Sequence, residues 1–322
     1  VAGSQAVPVG GDSMAAMIEL IPEAMRGAIA AAVGASAPSA LTGPVYEQPC
    51  TAIPIGTALA QSWDPAVAEA CGDLVGKEME RFGVHLWLAP AMNIHRTAFS
   101  GRNFEYYSED GVLSGEMAAS AIAGAQEHGV YAYMKHFALN DQEGNRNCMA
   151  ATWSNEQAIR EIYLKPFEMS VKDADCHAVM SSFNYIGSRW AGGCKELLQN
   201  VLRGEWGFLG FVETDYFGVY GYMTADQAVR NGGDLMLCTT GNDYNNVTVL
   251  TNSSKQAMRT AAKNILYTVV NSRAYDEENL NPGMAKWKIV LIGADVVAAL
   301  LIVGLEYTAI KNYKKRKEEE EV

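Results

Sequence analysis

No Cys-x-x-Cys pair occurs among the six cysteines, and neither a Gly-x-Gly-x-x-Gly run nor a phosphate-binding Gly-x-x-x-x-Gly-Lys run occurs anywhere in the chain. The cysteines stand apart as Cys50, Cys71, Cys148, Cys176, Cys194 and Cys238. Their density is too low for a disulfide scaffold, and they read as buried thiols. The five histidines are scattered, and only Cys176 and His177 are neighbours, so metal-ligand spacing is missing and no metal or cofactor is expected. The missing glycine patterns remove the dinucleotide and P-loop readings. Basic residues are scarce: 25 Lys and Arg against 37 Asp and Glu leave a net charge of -12. No basic face is available to neutralise phosphates, which excludes a nucleic-acid partner. The first residues, VAGSQAVPVGGDSM, lack the basic stretch and apolar run of a signal peptide, so the N-terminus is expected to continue from a longer precursor.

What is present is enough for a core. Of 322 residues, 49% are hydrophobic, an ordinary share for one large or two small domains. Residues 1–45 are rich in Ala, Gly, Ser and Pro, with an apolar pattern from Met14 to Val33, and form a poorly specified segment. Beyond it, short apolar runs at Gly83–Ala89, Val130–His136, His177–Asn184, Gly210–Asp215 and Asp234–Cys238 read as strands. Helical patterns fall between and around them, at Pro65–Arg81, Leu113–His128, Asn155–Ala174, Lys195–Trp206, Thr224–Arg230 and Ser254–Ser272. Ser154 with Gln157 makes a capping box at one helix start. Strand and helix in alternation imply a parallel sheet with crossover helices.

Polar residues fall at the C-terminal ends of these runs, in LAPAMNIHR, YMKHFALND, VMSSFNY and FVETDYFG. That is the layout of a (β/α)8-like TIM barrel with its site on the C-terminal face. Five or six strands are legible, so the barrel is expected to be incomplete at its N-terminal side. Asp215 ends a strand, where a rigid element can hold an ionised carboxylate, although turn formation explains many such aspartates. Lys135 and His136 end another strand; adjacent side chains there reach one site only if the chain bends. Lys135 alone also suits a Schiff-base amine. Arg102 with Glu105, and Glu143 with Arg146, read either as a guanidinium grip on vicinal hydroxyls or as structural ion pairs.

From Cys50 to Tyr275 the chain resembles the catalytic barrel of glycoside hydrolase family 3. The strings LAPAMNIHR, GRNFEYYSED, KHFALNDQEGNR, AIREIYLKPFE, VMSSFNYIG, VLRGEWGFLGFVETDY and NGGDLML carry the resemblance, in the family's order. The resemblance implies a retaining β-glycosidase acting on a β-linked glycoside or oligosaccharide, with Asp215 as nucleophile and Arg102, Lys135 and His136 binding the sugar. It is nearest to the subgroup with swapped domain order, whose chain can end in a hydrophobic helix. Four departures stand out. Thr42 replaces the acid of the family's Asp-Gly-Pro motif, Phe183 replaces the usual Tyr, and Tyr216 replaces the Trp after the nucleophile. The family's general acid comes from a second, α/β-sandwich domain, and no such domain is recognisable in this sequence. Glu213 is the local alternative, two residues before Asp215 and so on the same strand face, but directed toward the barrel interior. The competing reading is a non-catalytic sugar-binding or membrane scaffold remnant.

The C-terminal segment Ile289–Ile310 holds roughly enough apolar residues to span a bilayer. Trp287, Tyr307 and Tyr313 flank it, and KNYKKRK follows. The basic bias predicts a single-pass anchor in the cell membrane with an extracellular body and a cytoplasmic C-terminus. Asp295 and Glu306 lie inside the span, and an amphipathic docking helix is the alternative. The expected organisation is thus an N-terminal segment 1–45, a barrel 46–275, a linker 276–288, a transmembrane helix 289–310 and a charged tail 311–322.

Overall fold

The computed structural model describes residues 3–8, 45–216, 220–238, 243–276, 283–284 and 286–320. Thr42 and the apolar pattern Met14–Val33 lie outside the described residues. β1 (Gly3–Pro8) and β2 (Val45–Cys50) pair antiparallel, with Gly3 opposite Cys50. The short α1 (Gly56–Ala60) precedes α2 (Pro65–Phe82). Asp64 caps α2 by accepting from the Ala66 amide, Pro65 presets the first turn, and Gly83 at φ 69° closes it. After β3 (Leu86–Trp87) comes α3 (Gly111–Gln126), capped by Asp110, which accepts from the Val112 and Leu113 amides. Helices α2 and α3 touch backbone to backbone. A Cβ at Gly72 would collide with the Ala121 carbonyl, and one at Gly124 with the Glu69 carbonyl.

β4 (Tyr131–Phe137) and β5 (Ala151–Thr152) follow. The expected helix Asn155–Ala174 is divided into a turn Glu156–Ala158, a π-helical stretch Ile159–Tyr163 and α4 (Lys165–Lys172). Its cap is Asn155, accepting from the Ala158 amide, and not the expected Ser154; Asn155 holds the extended backbone that leaves its side chain free to reach that donor. Then come β6 (Ala178–Ser181), β7 (Tyr185–Ile186), β8 (Arg189–Trp190), a π-helical segment Glu196–Glu205, β9 (Phe211–Thr214), α5 (Ala225–Asn231) and α6 (Asn252–Val270).

The strands join as expected into a parallel sheet, in the order β3-β4-β6-β9. The expected fifth strand, Asp234–Cys238, contributes only a parallel bridge from Leu235 to Glu213. Side chains replace the ladder on either side of that bridge: the Asp234 carboxylate accepts from the Val212 amide, and Thr214 Oγ1 accepts from the Leu237 amide. A smaller sheet, β5-β7-β8, sits among the loops. Phe137, Phe167, Met92, Met117 and Ile122 fill the core between the sheet and its helices. Each such side chain contributes about 1.5–3 kcal/mol on burial.

The chain divides into two units, Val1–Ala274 and Tyr275–Val322. The second contains α7 (Lys286–Glu320), within which Trp287–Lys317 is long and apolar enough to cross a membrane. Its apolar side chains, such as Leu291, Val297, Leu300 and Leu305, are all exposed.

Candidate active site

The C-terminal ends of β4, β6 and β9 meet at Asp215. It follows β9, and its backbone is held from both sides: the Asp215 amide donates to the Ser181 carbonyl at 3.0 Å, and the Thr214 amide to the Leu235 carbonyl at 3.0 Å. Behind the strand, Asp234 accepts from the Val212 amide at 2.8 Å, from Arg203 at 2.7 Å and from Asn264 at 2.9 Å. The nucleophile candidate thus rests on a strand bolted to two helices.

The Asp215 carboxylate is buried, at 8% exposure. The Tyr216 amide donates to Oδ1 at 2.7 Å, and Arg146 Nη1 donates to Oδ2 at 3.2 Å. His136 Nε2 stands 3.7 Å from Oδ2. Burial raises the Asp215 carboxyl above its ordinary range, while Arg146, the Tyr216 amide, Arg102 and Lys135 pull it back. Burial, followed by the fields of Arg102, Lys135 and Arg146, holds His136 well below the usual imidazole range. His136 is therefore neutral, and its contact with Asp215 is not an ion pair.

His136 is bracketed by Asn93, which accepts from the His136 amide and donates to the His136 carbonyl, both at 2.9 Å. Lys135 also faces the site, ion-paired to Glu105 at 3.0 Å. The bend needed for both neighbours to reach one place is present: the pairing of β4 with β6 shifts register between Met134 and Phe137. With Nζ held by the Glu105 carboxylate, Lys135 is not free to attack a carbonyl, which disfavours the Schiff-base reading.

Arg102 donates from Nε to Glu105 at 2.8 Å and lies 3.6 Å from Glu143. Glu143 in turn pairs with Arg146 at 2.7 Å. Asn140 donates to Glu143 and to the Tyr106 hydroxyl, both at 3.1 Å. The result is one chain of charges, Lys135–Glu105–Arg102–Glu143–Arg146–Asp215. Its three cations balance its three acids. For Glu105 the upward push of burial is outweighed by Lys135 and Arg102, which keep it ionised.

Arg146 is the site residue that sequence reasoning passed over, as half of a local pair with Glu143. Its reach to Asp215 spans 69 positions of sequence. Phe183 acquires a role through it. The Arg146 guanidinium lies 4.5 Å from the Phe183 ring centroid, so the ring that lacks the usual hydroxyl supports a cation instead. Glu213 is buried in the sheet interior, beside Tyr133, with Oε2 lacking any hydrogen bond. No group of three His, Cys, Asp or Glu side chains suited to a metal converges among the described residues.

Similarity to known proteins agrees with this geometry. A family model described as the glycosyl hydrolase family 3 N terminal domain matches residues 17–266. The chain is 41% identical over 183 residues to probable beta-glucosidase K of Emericella nidulans, covering 57% of this chain and 21% of that one. It is 42% identical over 182 residues to a beta-glucosidase of Rhizobium radiobacter, covering 56% and 22%. The solved structure of beta-glucosidase 3B from Thermotoga neapolitana in complex with glucose superposes with a TM-score of 0.64 at 38% identity, covering 73% of this chain and 33% of that one. The chain spans about a fifth of the length of the curated relatives it matches.

Proposed function

The chain belongs to glycosyl hydrolase family 3, and on that premise we propose that it carries the nucleophile half of a retaining β-glucosidase. The observation that carries this reading is the Asp215 carboxylate, buried at a strand end and held between Arg146 and the Tyr216 amide. In a retaining mechanism, Asp215 attacks the anomeric carbon, the glycosidic bond breaks, and a covalent glycosyl-enzyme forms; water then releases the sugar. Arg146 and the more distant cations keep part of the carboxylate population ionised against the cost of burial. Arg102 and Lys135, held in place by Glu105, grip sugar hydroxyls, and neutral His136 offers a hydrogen bond without adding charge. Tyr216 supplies an aromatic wall beside the nucleophile.

The proton donor comes, in this reading, from a separate sandwich domain. Glu105 and Glu143 each face two cations, and Glu213 points into the sheet interior. None of the three is disposed to protonate a leaving group. Helix α7 anchors the protein as a single span in the cell membrane, with the body outside and the basic tail in the cytoplasm; its length, apolar composition and KNYKKRK flank support this. The test is hydrolysis of 2,4-dinitrophenyl β-glucoside, whose leaving group needs no proton. Turnover that disappears in Asp215→Asn, with a 2-fluoroglucoside label on Asp215 seen by mass spectrometry, is expected. No turnover and no label at high protein concentration sinks the proposal.

A further inference from the structure

Asp295 and Glu306 share one face of α7, and we infer that this face takes the membrane helix of a different protein, bearing a lysine or arginine at the depth of Asp295. The inference rests on the reading that α7 spans a bilayer. Helix α7 is continuous from Lys286 to Glu320. Eleven residues of α-helix return to within about 20° of the starting direction, about 16 Å further along the axis. The two carboxylates therefore lie in line. Ala298 and Ala299 sit one turn after Asp295 on the same side, small enough for a second backbone to approach closely there, while Ile302 fills the face nearer Glu306. Val290, Val297 and Leu300 face the other way and suit lipid.

Within α7, neither carboxylate has a hydrogen bond or an ion pair to another described residue. The cation on the same face, Lys288, stands two turns before Asp295, about 10 Å along the axis. It lies over the Trp287 ring, 5.6 Å from its centroid. Asp295 thus has no partner of its own about 9 Å inside the span, where an unpaired carboxylate is unfavourable. Charge complementarity calls for a cation. A second copy of this chain does not supply one, because a symmetric parallel pair sets Asp295 against Asp295 and Glu306 against Glu306.

The full chain, labelled with a donor fluorophore and reconstituted in phosphatidylcholine vesicles, tests this. The probes are two acceptor-labelled Leu/Ala helices, one with a single lysine at the matching depth and one with leucine there. The lysine helix is expected to associate about tenfold more tightly, and Asp295→Leu is expected to erase the difference. Equal transfer to both helices, a preference that survives Asp295→Leu, or self-association that excludes both helices overturns the inference. Alkaline carbonate extraction separates the two readings. Chain stripped from the vesicles overturns the span and this inference together; chain retained with equal transfer overturns this inference alone.

Discussion

Arg146 Nη1 reaches Asp215 Oδ2 at 3.2 Å while the same guanidinium holds Glu143 at 2.7 Å and covers the Phe183 ring. One side chain thus joins Asp215, the proposed nucleophile, through Glu143 to Arg102. Arg146→Ala is expected to lower kcat/KM on an activated aryl glucoside by roughly 10- to 100-fold, the worth of a charged hydrogen bond. Arg146→Lys should recover only part of it, because an ammonium cannot fork to both carboxylates. Steady-state kinetics of both variants check this.

The pH dependence has a defined sign. Burial raises the Asp215 carboxyl, and in the proposed mechanism only its ionised form attacks. Activity is therefore expected to fall as pH drops through that raised value. Removing the Arg146 cation raises it further, so the acid limb of Arg146→Ala should lie at higher pH than that of the unmodified protein. A limb that stays in place or moves down contradicts the assignment.

Glu213 gives a stability prediction. Burial, with the Asp215 charge as a lesser cause, pushes its carboxyl up to about 7, against the partial relief of the Tyr133 hydroxyl. A folded acid with a raised value holds its proton longer than the unfolded chain does. Stability is then lost as pH rises from the ordinary carboxylate range toward 7, and the penalty is complete above it. Glu213→Gln removes that penalty. It should stabilise the protein at pH ~8 by as much as about 3 kcal/mol and change little at pH ~4, read by urea denaturation at both values.

Asp234 is expected to matter through β9 and not through the reaction. Asp234→Ala strands the Arg203 guanidinium and the Val212 amide. A loss of about 3–5 kcal/mol in unfolding free energy is expected, the cost of breaking a buried pair. Where folded protein remains, at low temperature, KM should stay within about threefold, since the Asp234 carboxylate bonds Arg203, Val212 and Asn264 and none of the proposed sugar-binding residues among those described.

Much of this protein was legible in order along the chain. The strand runs ending in Lys135-His136 and Asp215, the alternation that demands a parallel sheet, and the apolar C-terminal helix all follow from periodicity, which neighbours in sequence impose on one another. The helix start at Asn155 was misplaced by one residue because Ser154 and Asn155 are both competent caps, and only backbone direction chooses between them. Glu213 was legible as Asp215's face-mate directed into the barrel interior, but the lack of a hydrogen bond at its Oε2 was not. The bond from Arg146 to Asp215 was beyond reach, for a physical reason. Locally, Arg146 has a sufficient partner in Glu143, three residues away. Its second partner exists only because β4 and β9 both flank β6, which brings residues 69 positions apart within hydrogen-bond distance. Pattern along the chain determined which side chains stand at strand ends; strand order across the sheet decided which of them share a charge.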